Sequence, residues 1–520
     1  MEQGRGQSVV KCIIGAAVFY LLFPNLLFLL GWVQWYWAVP FCLILLYSFF
    51  QILRYIPDAP FRFQRSDAYI LPLLVVGAAL CTECLGLHGH MPQTWDYVVR
   101  NPIYETLVRC DWPLYNAEGG YFVYYMAYWL PTALLSKVLG FALSPITILW
   151  IWNATGVLLL LLTLWLRWRK RVGIILLLML AMGSLNDLRC IYGLAKWTWE
   201  QFPALEWIEP FVRVFTDWTN YFFLGLWNQI AINTPHTALP VCLVIAIVLS
   251  KRLPWRHIPY TSALAVLWSP LASACMLPWL IVYMKSKLSR FSSFIALFRT
   301  CSMWGALGLL CCVVMYFSCM ESGMIHAVWA QSPYYNEWMK DDVMRVSKSL
   351  FITCLMLIPA LFFLGRKYKR TAGFMVCVGL ICFLPFVWVG YENNELLFKG
   401  SAVIMILLVI LYASRLIYSH GIWRLLLIAF VVLSAAEFMW DMAFRVIHKY
   451  TWSEDGICRN IRDEWAGHLN HPNHFAYKNF FGQSPNIPLL YNKSGESALY
   501  VLRPFATGKS AEETNPERLK

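Results

Sequence analysis

Charged side chains are scarce in this chain: they make up 14% of its 520 residues, whereas 59% are hydrophobic. A soluble domain cannot bury that much apolar surface, so the composition argues against a water-soluble protein. The apolar residues also lack the alternation of a closed β-barrel and form continuous runs instead. We therefore predict an all-α polytopic membrane protein.

The signatures of several enzyme classes are also missing. The chain contains no P-loop, no GxSxG, no HExxH and no paired CxxC motif with zinc spacing. Cys81 and Cys84 form a lone CxxC inside an apolar run, where a small buried cysteine is ordinary. We also see no cleavable signal peptide, because the first apolar run is long and no small-residue cleavage site follows it.

The apolar runs that are present suit helices crossing a hydrocarbon core of about 30 Å. Tryptophan and tyrosine gather at their ends, as interface belts require. The pattern predicts about thirteen transmembrane helices, two of them short, with long outer loops. They lie at 12–30, 36–54, 69–87, 145–166, 172–185, 237–250, 258–268, 270–285, 298–318, 349–364, 372–389, 399–413 and 421–441.

Basic residues form short clusters between these spans, such as Arg167–Arg171. Such clusters set membrane orientation, so the net charge of +13 does not indicate a nucleic-acid partner. The positive-inside rule places the clusters and the N-terminus in the cytoplasm and the C-terminal tail outside. Only three of the 29 acidic residues, Glu2, Asp58 and Asp67, then lie inside. The outer carboxylates supply what acid–base or metal chemistry needs.

We divide the chain into four parts. They are an N-terminal two-span hairpin (1–68), a membrane core with outer loops 88–144 and 186–236 (69–320), further spans (321–441) and an outer tail (442–520). Within the first outer loop, the apolar segment 120–138 is predicted to lie on the membrane surface as an interfacial helix. Counting it as a span would either move the cluster Arg167–Arg171 outside or bring the loop 88–119 inside. We expect the tail to pack on the outer loops.

The first outer loop carries the leading site candidates. Asp96 follows the third span and precedes a predicted helix at 97–109, so it is either a catalytic base, a metal-holding carboxylate or a helix cap. Arg100 shares its helical face and, with Asn101, is a candidate for substrate binding; an ordinary ion pair is the alternative for Arg100. Asp111 begins a turn and is either structural or a second catalytic carboxylate.

Other outer segments add candidates. Asp187 lies past the fifth span and is a third candidate carboxylate. Gln229 and His236 lie at the mouth of the sixth span, where a histidine either binds an anionic phosphate or is a satisfied structural residue. Outer cations that either bind a lipid phosphate or anchor the interface are Arg213, Arg345, Lys348 and Lys399. No organic cofactor is indicated; a divalent cation on the carboxylates is an open alternative.

The order of these features resembles the GT-C superfamily of integral membrane glycosyltransferases, which includes protein mannosyltransferases and aminoarabinose transferases. The matching features are the span 69–87, Asp96, the DWPLY motif from Asp111, the segment YYMAYWLPTALLSKVLG at 124–140, and the span 145–166 with its basic cluster. The resemblance covers roughly residues 69–320.

This resemblance implies transfer of a sugar from a polyprenyl-phosphate-linked donor to a glycan, lipid or protein acceptor on the outer face of the membrane. It implies Asp96 as the base or metal-associated acid, and we place the lipid phosphate near His236 and Arg213. A bacterial inner membrane is the expected location. Alternatives of other classes are a transporter or lipid flippase, a polysaccharide polymerase or ligase, and a non-catalytic assembly subunit.

Overall fold

The structure is a computed structural model of the chain. The described residues are 2–56, 63–88, 90–91, 97–109, 111–116, 120–182, 225–233, 235–285, 287–288, 290–317, 325–327, 362, 364–365, 367–369, 371–384, 387–389, 395–435, 438–439, 442 and 481–482.

Helices dominate this part of the chain, with only short strands between them. The helices are α1 (Glu2–Trp32), α2 (Trp35–Tyr55), α3 (Asp67–Glu83), α4 (Tyr97–Arg109), α5 (Leu130–Val138), α6 (Pro145–Trp168), α7 (Val172–Ala181), α8 (Leu226–Asn228, continued by a π-helical turn Gln229–Asn233), α9 (Pro235–Leu249), α10 (Ile258–Ala263), α11 (Pro270–Lys285), α12 (Phe291–Phe298), α13 (Cys301–Phe317), α14 (Ala372–Phe383), α15 (Glu395–Tyr418) and α16 (Ile422–Leu433).

Four of these helices, α1, α2, α6 and α15, are long and apolar enough to cross a membrane. A fifth span results if α12 and α13, which meet at a bend of 69°, cross as one unit. This confirms a helical protein with several helices suited to a membrane, whereas the count of thirteen spans stays a prediction.

Helices α3 and α6 run antiparallel and are joined at both ends. At one end, the buried Asp67 carboxylate accepts a hydrogen bond from Trp165 Nε1 at 3.2 Å and pairs with Arg169 at 2.9 Å. At the other end, Trp150 Nε1 donates to Glu83 at 3.0 Å. Asp67 and Arg169, which the charge pattern assigns to one side of the membrane, therefore lie at the same end of this pair.

Helix α15 extends from one end of the bundle to the other. Near its C-terminus, Tyr418 Oη accepts a hydrogen bond from Arg171 at 2.9 Å, so this end lies beside the basic turn Arg169–Arg171. Lys399 lies 19 residues earlier, which is about 28 Å along a helix with a rise of 1.5 Å per residue. Lys399 therefore lies at the end of the bundle opposite to this basic turn.

The core is centred on α9, in which every residue from Pro235 to Val248 is buried. This helix packs against α1, α6, α11 and α15. Large aromatic residues fill the surrounding space, and Trp165, Trp268 and Trp279 are almost completely buried. A helix that is apolar on all sides and enclosed by other helices is a central element of a bundle.

Some helices are shorter than the apolar runs that predicted them. Helix α7 ends at Ala181 within the expected span 172–185, and α14 ends at Phe383 within the expected span 372–389. Pro385 accounts for the second difference, because proline has no N–H to donate and its ring clashes with the carbonyl four residues earlier. Strand β4 (Val387–Val389) then follows.

Short strands pair segments that are distant in the sequence. β1 (Tyr115–Asn116) pairs with β2 (Gly120–Phe122), which pairs in turn with β5 (Phe481–Gly482) of the tail; both pairings are antiparallel. A second antiparallel pair joins β3 (Ile325–Ala327) to β4. The pairing of β2 with β5 brings residues 481–482 of the tail against the loop that contains β2. The expected all-α class holds apart from these strands of two or three residues.

The segment 120–138 is not a single helix, so that prediction was wrong. It begins with β2, continues without regular structure to a turn at 127–129, and becomes helical only from Leu130. Pro131 explains this start, because proline fits the first turn of a helix but would break one that had begun earlier. The aromatic segment 123–129 is largely buried rather than spread over a membrane surface.

Candidate functional site

Five of the eight predicted site residues belong to the described part of the chain: Arg100, Asn101, Asp111, Gln229 and His236. The other three, Asp96, Asp187 and Arg213, lie outside it. The helix predicted at 97–109 is confirmed with the same bounds as α4.

Helix α4 is fixed to the start of α6, because Tyr104 Oη donates a hydrogen bond to the carbonyl of Pro145 at 2.6 Å. On this helix Arg100 is only 7% exposed, and its guanidinium lies 5.4 Å from the ring centroid of Tyr97. A buried guanidinium keeps its charge, so it requires compensation by nearby electron-rich groups or an anion. Asn101, the next residue, is half-buried.

The aromatic segment 123–129 is held against α13 by one side chain. Tyr316 Oη accepts a hydrogen bond from the backbone N–H of Tyr124 at 2.9 Å and donates one to the carbonyl of the same residue at 3.0 Å. Tyr124 and Tyr125 then stack with ring centroids 3.9 Å apart. This double hydrogen bond fixes the backbone at Tyr124 and thereby holds the stacked pair of tyrosine rings in place.

His236, at the start of α9, is enclosed by rings from the same segment. Its imidazole stacks parallel to Tyr125 at 5.5 Å, and the rings of Trp129 and Tyr128 follow at 5.2 and 6.1 Å. Its Nε2 atom is buried and has no hydrogen-bond partner among the described residues. A buried nitrogen without a partner is a costly arrangement that a bound ligand would relieve.

Lys399 is the residue that sequence reasoning ranked too low, as one of several outer cations. It is 5% exposed, its Nζ donates to Tyr125 Oη at 2.6 Å, and it pairs with Glu395 at 2.7 Å. The ammonium also lies 4.4 Å from the Tyr125 ring centroid. The spacing of Glu395 and Lys399, four residues apart in an apolar run, is a sequence signal that could have identified the buried pair.

The charges of Arg100 and Lys399 interact electrostatically with the same two side chains, Tyr124 and His236. Burial and then the phenol of Tyr125 raise the pKa of Tyr124 well above its usual value, while Lys399 and Arg100 oppose this rise. The imidazole of His236 also interacts electrostatically with both cations. We call the five residues Arg100, Tyr124, Tyr125, His236 and Lys399 the cationic–aromatic cluster.

Gln229 lies beside this cluster. Its Nε2 donates to Ser401 Oγ at 2.8 Å, and Ser401 is two residues beyond Lys399 on α15. Gln229 and Ser401 are both fully buried. Of the predicted binding residues, Arg100, Gln229 and His236 thus come together around one end of α15.

Asp111 is exposed, and no contact within the described residues links it to the cluster. The neighbouring Trp112 is the residue that packs: its Nε1 donates to the carbonyl of Leu107 at 3.0 Å, and the ammonium of Lys137 lies 4.7 Å from its ring centroid. For Asp111 the structural alternative, a residue at the start of a turn, fits these contacts.

Two buried cations and an unpartnered imidazole nitrogen form a set of donors for an anion. Charge-assisted hydrogen bonds from arginine and lysine are the usual means of holding phosphate or carboxylate groups. Stacked tyrosine and tryptophan rings suit sugar or isoprenoid surfaces as well as cations. No protein-family model, curated protein or solved structure matches this chain.

Proposed function

We propose that this protein is a GT-C-like membrane glycosyltransferase with about thirteen spans, located in a bacterial inner membrane. It moves a sugar from a polyprenyl-phosphate-linked donor to a glycan, lipid or protein acceptor on the outer face. The observation that carries the proposal is the buried cationic–aromatic cluster at the end of the bundle opposite to the basic turn Arg169–Arg171.

The location of the cluster supports a lipid-linked substrate. By the positive-inside rule the basic turn is cytoplasmic, so Lys399, about 28 Å away along α15, lies near the outer surface. A polyprenyl phosphate places its headgroup at that depth and its chain among the apolar helices. The two cations Arg100 and Lys399 exceed the single carboxylate of Glu395 in charge, which favours a negative phosphate, and His236 Nε2 has a free hydrogen-bonding position for it.

The proposed reaction is a single inverting displacement. The acceptor hydroxyl oxygen forms a bond to the anomeric carbon, the bond from that carbon to the phosphate oxygen breaks, and the hydroxyl proton goes to a carboxylate. Asp96 is the proposed base, since it precedes Arg100 by one helical turn in the sequence. Arg100 and Lys399 stabilise the charge that develops on the leaving phosphate.

A transporter or lipid flippase is the second candidate, and one observation favours it. Transporters carry buried ionisable residues within spans, and Lys399 is buried inside α15, a helix able to cross a membrane. Its position near the start of that helix, with a half-exposed Glu395 one turn earlier, favours a surface site over a midplane site. A polysaccharide polymerase or ligase would use the same lipid-phosphate site with a different acceptor.

The proposal is tested with purified protein by measuring release of polyprenyl phosphate from a panel of lipid-linked sugars. We expect wild-type turnover, with Asp96→Asn and Lys399→Met reduced at least 100-fold. The matched control is Lys137→Met, because Lys137 lies on α5 against Trp112 and not in the cluster. If the protein moves fluorescent polyprenyl lipids across a vesicle bilayer but releases no polyprenyl phosphate from any donor, it is a flippase and the glycosyltransferase proposal is wrong.

A further inference from the structure

A second group of chemically active side chains lies at the end of α3. Glu83, His88 and His90 each offer one ligand atom, and these atoms lie within 4.8 Å of one another. His90 Nδ1 is 2.7 Å and His88 Nδ1 is 3.9 Å from the carboxylate oxygens of Glu83. Two atoms that are each about 2.1 Å from one ion lie at most about 4.2 Å apart. The three side chains therefore need only small movements to hold a common ion.

The backbone places the histidines over the helix end. Helix α3 ends at Glu83, and Gly86 follows with a φ of 69°, a left-handed conformation that favours glycine. The chain turns back there, which brings His88 and His90 to the C-terminal end of the helix. The partial negative charge of that end favours a cation.

Neighbouring residues orient two of the three groups, Glu83 and His88, as hydrogen-bonding neighbours orient metal ligands. Trp150 Nε1 donates to Glu83 Oε2 at 3.0 Å, and Thr147 Oγ1 lies 3.5 Å from His88 Nε2. The Nδ1 of His88 thus faces the carboxylate while its other ring nitrogen faces a hydroxyl. Contacts of this kind fix the tautomer and orientation of a ligating histidine.

We infer that Glu83, His88 and His90 form a binding site for a divalent transition-metal ion of the zinc class. Two imidazoles and one carboxylate suit zinc, copper or nickel, whereas magnesium and calcium prefer all-oxygen ligands. The side chain of His90 is 66% exposed, so water can complete the coordination. This site is separate from the cationic–aromatic cluster and does not depend on the proposed glycosyltransferase activity.

The site also borders the packing that supports the cluster. Thr82, next to Glu83, accepts a hydrogen bond from Asn153 at 3.0 Å, and Asn153 accepts one from Tyr128 at 3.0 Å. The ring of Tyr128 packs against His236. An ion bound at Glu83 would therefore fix the end of α3 next to this chain of hydrogen bonds, and we expect it to raise the melting temperature.

The test is metal binding by the full chain, purified without a histidine tag and stripped with a chelator. Zinc titration followed by metal analysis should show that His88→Ala/His90→Ala binds one equivalent fewer than wild type. Glu83→Gln should lower the affinity for this zinc ion at least 10-fold, while the glutamine oxygen can still accept the hydrogen bond from Trp150. The control is His420→Ala, which removes an exposed histidine elsewhere and should keep the wild-type stoichiometry.

Cobalt binding provides a second measurement. Tetrahedrally coordinated Co²⁺ has a visible absorption band, which reports the metal ligands directly. We expect the cobalt band in wild type and in His420→Ala, and we expect zinc to raise the melting temperature of both proteins. The double variant should show neither the band nor the rise. Equal zinc stoichiometry in wild type and the double variant, or no zinc bound by wild type, would overturn the proposal.

Discussion

Lys399 lies four residues inside an apolar helix and is nearly completely buried, a position that is costly for a charged side chain. Its ammonium has two partners, the carboxylate of Glu395 and the phenol of Tyr125. Removing one partner of a buried charge costs more than the hydrogen bond itself contributes, because the charge remains desolvated. The cluster around Lys399 is therefore sensitive to single substitutions.

Tyr125→Phe tests the pair directly. The substitution keeps the ring that stacks on His236 and Tyr124 but removes the acceptor for Lys399 Nζ. We expect a loss of about 1–3 kcal/mol in the free energy of unfolding, because a hydrogen bond to a charged group is lost in a buried site. The measurement is thermal unfolding of the purified protein in detergent. The control is Tyr47→Phe, because the side chain of Tyr47 is exposed. Equal melting temperatures for both variants would contradict the assignment.

At the scale of elements, three segments are joined by one chain of buried polar groups. Asn153 of α6 donates to Thr82 of α3 and accepts from Tyr128 of the aromatic segment 123–129. All three residues are at most 3% exposed. This connection positions the aromatic segment over α9 and hence beside His236.

Asn153→Leu should therefore separate the aromatic segment from α6. The substitution leaves the Tyr128 hydroxyl buried without this partner, whereas the Thr82 hydroxyl keeps its bond to the carbonyl of Ala78, and we expect a loss of about 1–3 kcal/mol. Thr155→Val on the same helix is the control, since that side chain is exposed and bonds only its own helix, at Ile151. A melting temperature for Asn153→Leu no lower than that of the control would contradict this role.

The elements also show which parts of the structure were predictable. The bounds of α2, α4 and α6 followed from apolar length and helix signals, because these are local properties of the sequence. The irregular structure at 123–129 was missed, because proline and buried tyrosine contacts override the apolar pattern there. Lys399 was predicted only as one of four cations for a lipid phosphate, and its contact with Tyr125 was not predicted, since Tyr125 is 274 residues away in the sequence. Contacts that distant leave no signal in a single chain.

In the whole molecule, the proposed outer-face reaction requires that the end of the bundle with Lys399 faces outward. The structure gives relative positions: Arg171 and Tyr418 lie at one end, and Lys399 lies at the other. The positive-inside rule then assigns the first end to the cytoplasm. The cluster, the first outer loop and the tail strand β5 would all face the outside.

Epitope insertions test this orientation. Gly140 lies in an exposed turn with a φ of 55°, and Lys287 lies in a basic turn after α11; exposed turns of this kind tolerate insertions. We expect antibody to label an epitope after Gly140 in intact cells, and an epitope after Lys287 only after permeabilisation. The reverse pattern would place the cluster on the cytoplasmic side and contradict the proposed outer-face reaction.

Binding of polyprenyl phosphate, the sugar-free product, to wild type, Lys399→Met and Lys137→Met tests directly whether the cationic–aromatic cluster is the lipid-phosphate site. This measurement does not require the donor sugar to be known. We predict that Lys399→Met binds about 10- to 150-fold more weakly, the equivalent of about 1.5–3 kcal/mol for a hydrogen bond to a charged group, while Lys137→Met binds as wild type does. Equal affinity of all three proteins would contradict the assignment of the cationic–aromatic cluster as the lipid-phosphate site.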